Sequence, residues 1–193
     1  MLQRLLLTHG AGQGTDSEFM QMMDKQLTER GIATELFNFP YMQQQIDEGK
    51  KRPPSSIAQL QNYFIQRLET CSEPVFIGGK SMGGRVATMI ADHPKVKGIA
   101  CLGYPFHPPG KPNKLRIEHL KDIAKPVLIL QGERDPFGKK GEVEAYPLSH
   151  MVSIEWVAAG EHSFKPTKTS GVSLAQNIAF AASKVAEFME GAS

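Results

Sequence analysis

Apolar residues fall along the chain in two alternating rhythms. Short continuous runs of strand length are followed by segments whose apolar positions recur every three or four residues. Leu5, Leu6 and Leu7 form the first run, which stops at His9-Gly10. Phe19, Met22, Met23 and Leu27 then share one helical face, ended by Gly31. Residues 32–39 read as a second strand, closed by Pro40, and residues 43–56 as a polar loop holding Pro53 and Pro54. Ile57, Leu60, Phe64 and Leu68 mark the next helix, with Ser55 or Ser56 as its N-cap. Residues 74–77 predict a third strand and 81–92 a third helix, closed by Pro94. Strands follow at 96–102, 126–130 and 152–158. A last helix carries Leu174, Ile178, Ala181, Val185 and Phe188.

Strands alternating with helices imply βαβ units. The expected architecture is a three-layer α/β/α sandwich around about six mostly parallel strands. Apolar runs without strict alternation suit a sheet covered on both faces. No repeat, low-complexity tract or linker interrupts the pattern, so residues 1–193 are expected to form one domain. Ligands bind such sheets at the carboxyl ends of the strands. The glycines sort by that rule. Gly10, Gly12 and Gly14 follow the first strand, and Gly78, Gly79, Gly83 and Gly84 the third. Gly103, Gly132 and Gly160 follow the fourth, fifth and sixth.

Composition narrows the function classes. With 22 Lys+Arg against 20 Asp+Glu, the net charge of +2 gives no footprint for nucleic acid or an anionic membrane. Cys71 and Cys101 could form at most one bridge, which is no disulfide framework. No apolar stretch approaches the ~20 residues of a membrane span. The first ten residues lack a long apolar region and a small-residue cleavage site, so a cytoplasmic location is expected. No His, Cys, Asp or Glu spacing forms a ligand set, and neither metal nor cofactor is expected.

The pentapeptide Gly79-Lys80-Ser81-Met82-Gly83 matches G-x-S-x-G between a predicted strand and a predicted helix. On such a turn the serine is lifted clear of the sheet, and the residues two before and two after it must be small. A serine nucleophile needs a base, and the base needs a carboxylate. His162, in Gly160-Glu161-His162-Ser163-Phe164, directly follows the sixth strand and is the best-placed base. His107 is at the same edge but has no acid before it in the required order. Asp135 follows the fifth strand and lies between Ser81 and His162, with Glu133 as the near alternative. An oxyanion needs two backbone N–H donors. Met82 offers one, and Ala11, or else Gly10, the other. His9 reads as a hydrogen-bonded organiser of that loop.

These segments resemble the α/β-hydrolase superfamily. More narrowly, they resemble the small family that includes testis-expressed protein 30 and subunit 3 of the non-specific lethal chromatin complex. The resemblance is carried by Thr8-His9-Gly10-Ala11-Gly12, Gly79-Lys80-Ser81-Met82-Gly83-Gly84-Arg85, Gly132-Glu133-Arg134-Asp135-Pro136-Phe137-Gly138 and Gly160-Glu161-His162-Ser163-Phe164. It implies Ser81 as nucleophile, Asp135 as acid and His162 as base. Dienelactone hydrolase is similar in compactness but has cysteine where Ser81 stands. Against the usual eight-stranded sheet the first two strands are missing, leaving an expected order of 2-1-3-4-5-6. The segment 104–118 is proline-rich and too short for a helical cap, so an open site is expected. Tyr41, Met42, Phe106, His107 and Phe164 are its candidate substrate-binding residues. The implied partner is a small-molecule acyl substrate, with no nucleic acid or membrane. A non-catalytic scaffold on the same fold is the alternative. A dinucleotide-binding domain fits poorly, because Thr15 stands where a glycine is needed and Asn38-Phe39-Pro40 lacks the ribose-binding acid.

Overall fold

The computed structural model describes residues 3–192. Six parallel strands form one sheet: β1 (Gln3–Thr8), β2 (Ile32–Phe37), β3 (Val75–Lys80), β4 (Val96–Leu102), β5 (Val127–Gly132) and β6 (Val152–Val157). Their spatial order is β2-β1-β3-β4-β5-β6, the order that the resemblance to the α/β-hydrolase superfamily implies. The period-two alternation of each strand assigns its residues to two cores. Leu6, Ile77, Ile99, Cys101 and Ile129 face one layer, and Leu5, Leu7, Phe76, Ala100, Leu102 and Leu130 face the other.

The first layer contains α2 (Pro40–Glu48), α3 (Ile57–Glu69) and α4 (Met82–Met89). Leu60, Phe64 and Leu68 of α3 recur at helical spacing and are fully buried there. The second layer contains α1 (Glu18–Thr28) and α6 (Leu174–Gly191), which present Met20, Met23, Leu27, Ile178, Ala181 and Val185. A short α5 (Lys140–Val143) and a single 3-10 turn at Glu118–Leu120 lie between β4 and β6. None of the described helices is long and apolar enough to cross a membrane.

The clearest departure from the sequence reading is α2. The expected loop at 43–56 begins inside α2. Pro40 occupies the first turn of that helix, where its missing N–H costs nothing, so it starts a helix rather than merely ending a strand. Gly49 closes α2 with a left-handed φ of 64°. The segment between β4 and the Glu118 turn contains no helix.

Candidate active site

Ser81 sits between the end of β3 and the start of α4 with φ 49°. A non-glycine residue there is held in strain worth about 1–3 kcal/mol. The packing around it explains how the strain is maintained. A Cβ on Gly79 would meet the Gly83 carbonyl carbon at 2.5 Å, and a Cβ on Gly83 would meet the His9 oxygen at 2.5 Å. Strand, turn and helix therefore touch backbone to backbone, and Ser81 is projected from the sheet edge.

Three side chains from three strand ends meet at this turn. Ser81 Oγ donates to His162 Nε2 at 2.7 Å, and His162 Nδ1 donates to Asp135 Oδ2 at 2.8 Å. Asp135 is fully buried. Its other oxygen accepts from the Phe137 N–H at 2.8 Å, while Gln131 Nε2 donates to Oδ2 at 3.0 Å. Gln131 also accepts from the Tyr104 N–H at 2.8 Å, tying the carboxylate to the loop after β4. The His162 ring stacks on Phe137, with centroids 4.1 Å apart. Burial is the largest influence on this imidazole and lowers its pKa below 6.5. The hydrogen bond to Asp135 opposes that shift, and the charge of Lys80 adds to it. The Ser81 hydroxyl thus faces a neutral, proton-accepting nitrogen near neutral pH. Such an array can remove a proton from the hydroxyl as it attacks an electrophile. Glu133, the alternative acid, instead accepts from the Ala159 N–H at 2.8 Å.

The loop after β1 is fixed from behind. His9 is fully buried, donates from Nδ1 to the Gly10 oxygen at 2.6 Å and accepts at Nε2 from the Phe39 N–H at 3.0 Å. Tyr41 Oη donates to the Ala11 oxygen at 3.0 Å. A trans peptide points its C=O and N–H in opposite directions. Holding the Gly10 oxygen against His9 therefore turns the Ala11 N–H away from it. Met82 is the first residue of α4, so its N–H has no helical acceptor. Among the described residues neither N–H donates to a protein group.

A cavity of about 250 Å³ opens at these groups. Gly10, Ala11, Gly12, Ser81, Phe137 and His162 form one part of its lining, and Gln13, Ser17, Phe19, Met20, Lys80 and Ser163 the rest. The five residues expected to bind substrate do not line it. Tyr41 and Met42 are buried among the residues packed by α2, where Tyr41 supports the Ala11 loop from behind. Phe106 is enclosed by Tyr104 and Tyr146, and His107 is buried beside the Pro108 carbonyl and Glu142. Phe164 is fully buried in the core packed by α1 and α6, in edge contact with Phe19 at 5.3 Å. Large aromatic residues near a strand end gain more from a dry core than from a wet rim, and here the core takes them.

The sequence reading missed Gln131, Lys80, Phe19 and Phe137. Gln131 and Lys80 did leave a signal. Each is a polar residue near the end of a strand buried along its whole length. Among the described residues no group of three or more His, Cys, Asp or Glu side chains could hold a metal ion.

A family model described as "Alpha/beta hydrolase domain" matches residues 2–190. Among solved structures, the monoacylglycerol lipase of Paleococcus ferrophilus is similar over 98% of this chain and 95% of its own, at 14% identity and a TM-score of 0.72. Est1E from Butyrivibrio proteoclasticus is similar over 98% and 88%, at 14% identity and a TM-score of 0.68. An esterase of Pyrococcus furiosus is similar over 98% and 81%, at 14% identity and a TM-score of 0.68. At such identities the likeness is one of fold.

Proposed function

Because the chain belongs to the alpha/beta hydrolase domain family across residues 2–190, we propose that it is a serine hydrolase, carboxylesterase-like, cleaving a small ester, thioester or amide. The observation that carries the reading is the unbroken hydrogen-bonded line from Ser81 through His162 to Asp135. His162 Nε2 takes the hydroxyl proton as Ser81 Oγ bonds to the substrate carbonyl carbon. The carbonyl oxygen becomes an oxyanion beside the N–H groups of Ala11 and Met82, where preorganised donors are worth about 3–4 kcal/mol each. Collapse of that adduct breaks the bond to the leaving group, which receives the proton from His162. Water then attacks the acyl-enzyme by the same route, with His162 again as base, and Ser81 is restored. Asp135 keeps His162 in the tautomer that presents a bare Nε2.

The finer family reading rests on the four quoted motifs. On them we place the chain beside the small family of testis-expressed protein 30, as an enzyme acting on a small-molecule acyl compound. Screening p-nitrophenyl esters of rising acyl length against wild type and Ser81→Ala tests the activity. Ser81→Ala is expected to lower kcat roughly 10⁴–10⁶-fold. A loss under about tenfold would falsify the assignment of Ser81. A fluorophosphonate probe should label the folded protein, with its adduct mapping to Ser81.

A further inference from the structure

Lys80 is a buried cation that takes no direct part in the acyl transfer above. It ends β3, immediately before Ser81, and is only 8% exposed. Its Nζ donates to the His162 carbonyl at 2.6 Å and lies 4.9 Å from the centre of the Phe19 ring. Lys80, His162 and Phe19 all line the cavity beside Ser81. An ammonium has three N–H donors, and the carbonyl takes one. Among the described residues no carboxylate forms an ion pair with it; Asp135 and Glu161 act on it only at longer range. A buried ammonium without a contacting anion is costly. The remaining wall does not supply that anion, since no lining residue is acidic. The N-terminus of α1, with Ser17 as its cap, meets the same cavity, while the acidic Asp16 and Glu18 beside it are exposed and do not line it.

We propose that the Lys80 ammonium binds a carboxylate carried by the substrate, so that the preferred substrates are acidic esters or amides. This rests on the hydrolase reading of the same site and names its substrate class. The oxyanion donors and the ammonium then divide the labour. The first meet charge that develops during the reaction, and the second meets charge the substrate brings with it.

Two measurements keep this separate from the reading beneath it. Turnover of the neutral ester p-nitrophenyl pentanoate, if it depends on Ser81, reports the hydrolase alone. The anion site is read as the ratio of kcat/KM for the mono-p-nitrophenyl ester of glutaric acid to that for the pentanoate. At neutral pH this ratio should be on the order of ten or more in wild type, the scale of one charge-assisted hydrogen bond. Burial pushes the Lys80 pKa down to about 8, against the opposing charges of Asp135 and Glu161. The ratio should therefore fall towards one as the pH rises through about 8. His162, the other titrating neighbour, is already neutral there, its pKa being lowered. In Lys80→Met the ratio should be near one at every pH, whatever the absolute rates. A wild-type ratio at or below one, or a ratio that Lys80→Met leaves unchanged, overturns the proposal. If no ester is turned over, calorimetry on the wild-type protein decides. Glutarate should bind, its diamide should not, and Lys80→Met should lose the difference. Failure of glutarate to bind overturns the anion site independently of catalysis.

Discussion

At the scale of single residues, the site depends on groups that hold other groups. Gln131 donates to Asp135 and accepts from the buried Tyr104 N–H. Replacing it by leucine leaves that N–H without a partner, a loss of about 1–3 kcal/mol. Urea unfolding of Gln131→Leu should show this, and a midpoint equal to wild type would remove Gln131 from its positioning role. His162 makes a different prediction. Its lowered pKa, set chiefly by burial, means that proton loss occurs below 6.5. Activity should rise with pH as the base form appears, so the acid limb of kcat/KM should have its midpoint below 6.5. A midpoint above that value would assign the limb to another group. That Ser81, Asp135 and His162 come together was legible in the sequence, because such a hydrogen-bonded line restricts its members to few residue types. Phe19 and Phe137 were not, because an aromatic facing a cavity and one facing the core have the same local pattern.

At the scale of elements, the turn between β3 and α4 makes the sharpest demand. Gly83→Ala puts a methyl group against the His9 carbonyl oxygen, whereas a Cβ on Gly12 meets nothing within 4 Å. Gly83→Ala should cost about 1–3 kcal/mol; Gly12→Ala should change the unfolding midpoint little. Equal midpoints for the two variants would contradict the backbone contact on which the turn rests. The helix caps give a smaller, separate test. Ser173 accepts from the Gln176 N–H at the start of α6, and Ser173→Ala should cost about 1 kcal/mol. Helices with a long apolar stripe, such as α3 and α6, could be read from spacing alone. The stripe of α2 is short and its middle is three glutamines, so its real signals were the framing Pro40 and Gly49. Those two residues serve equally well as the ends of a loop, and only docking of Tyr41 and Met42 decides for a helix.

At the scale of the whole molecule, the parallel, doubly covered sheet was legible from the alternation of strands and helices, whereas its strand order came from the resemblance to the α/β-hydrolase superfamily. The cavity was not legible, since it is shared by the loop after β1, the start of α1 and Phe137, which only the closed fold brings together. Burial also couples stability to pH. His9, His119 and His162 all have pKa values lowered below 6.5, chiefly by desolvation. The unfolded chain takes up protons as pH falls through 6.5 while the folded chain does not, so stability is full above that value and declines below it. The urea midpoint should drop between about pH 7.5 and about pH 5.5, and a midpoint that holds constant would contradict the neutral burial of these rings. The position of β6 has one more effect. It is an edge strand, paired only with β5, and the loop it leads into holds His162. A growing chain therefore contains Ser81 long before His162. Under the proposed function, the hydroxyl is then an ordinary alcohol until the last strand docks, and becomes one again whenever that edge opens. On that reading the sheet's outermost seam is a safety catch on the serine.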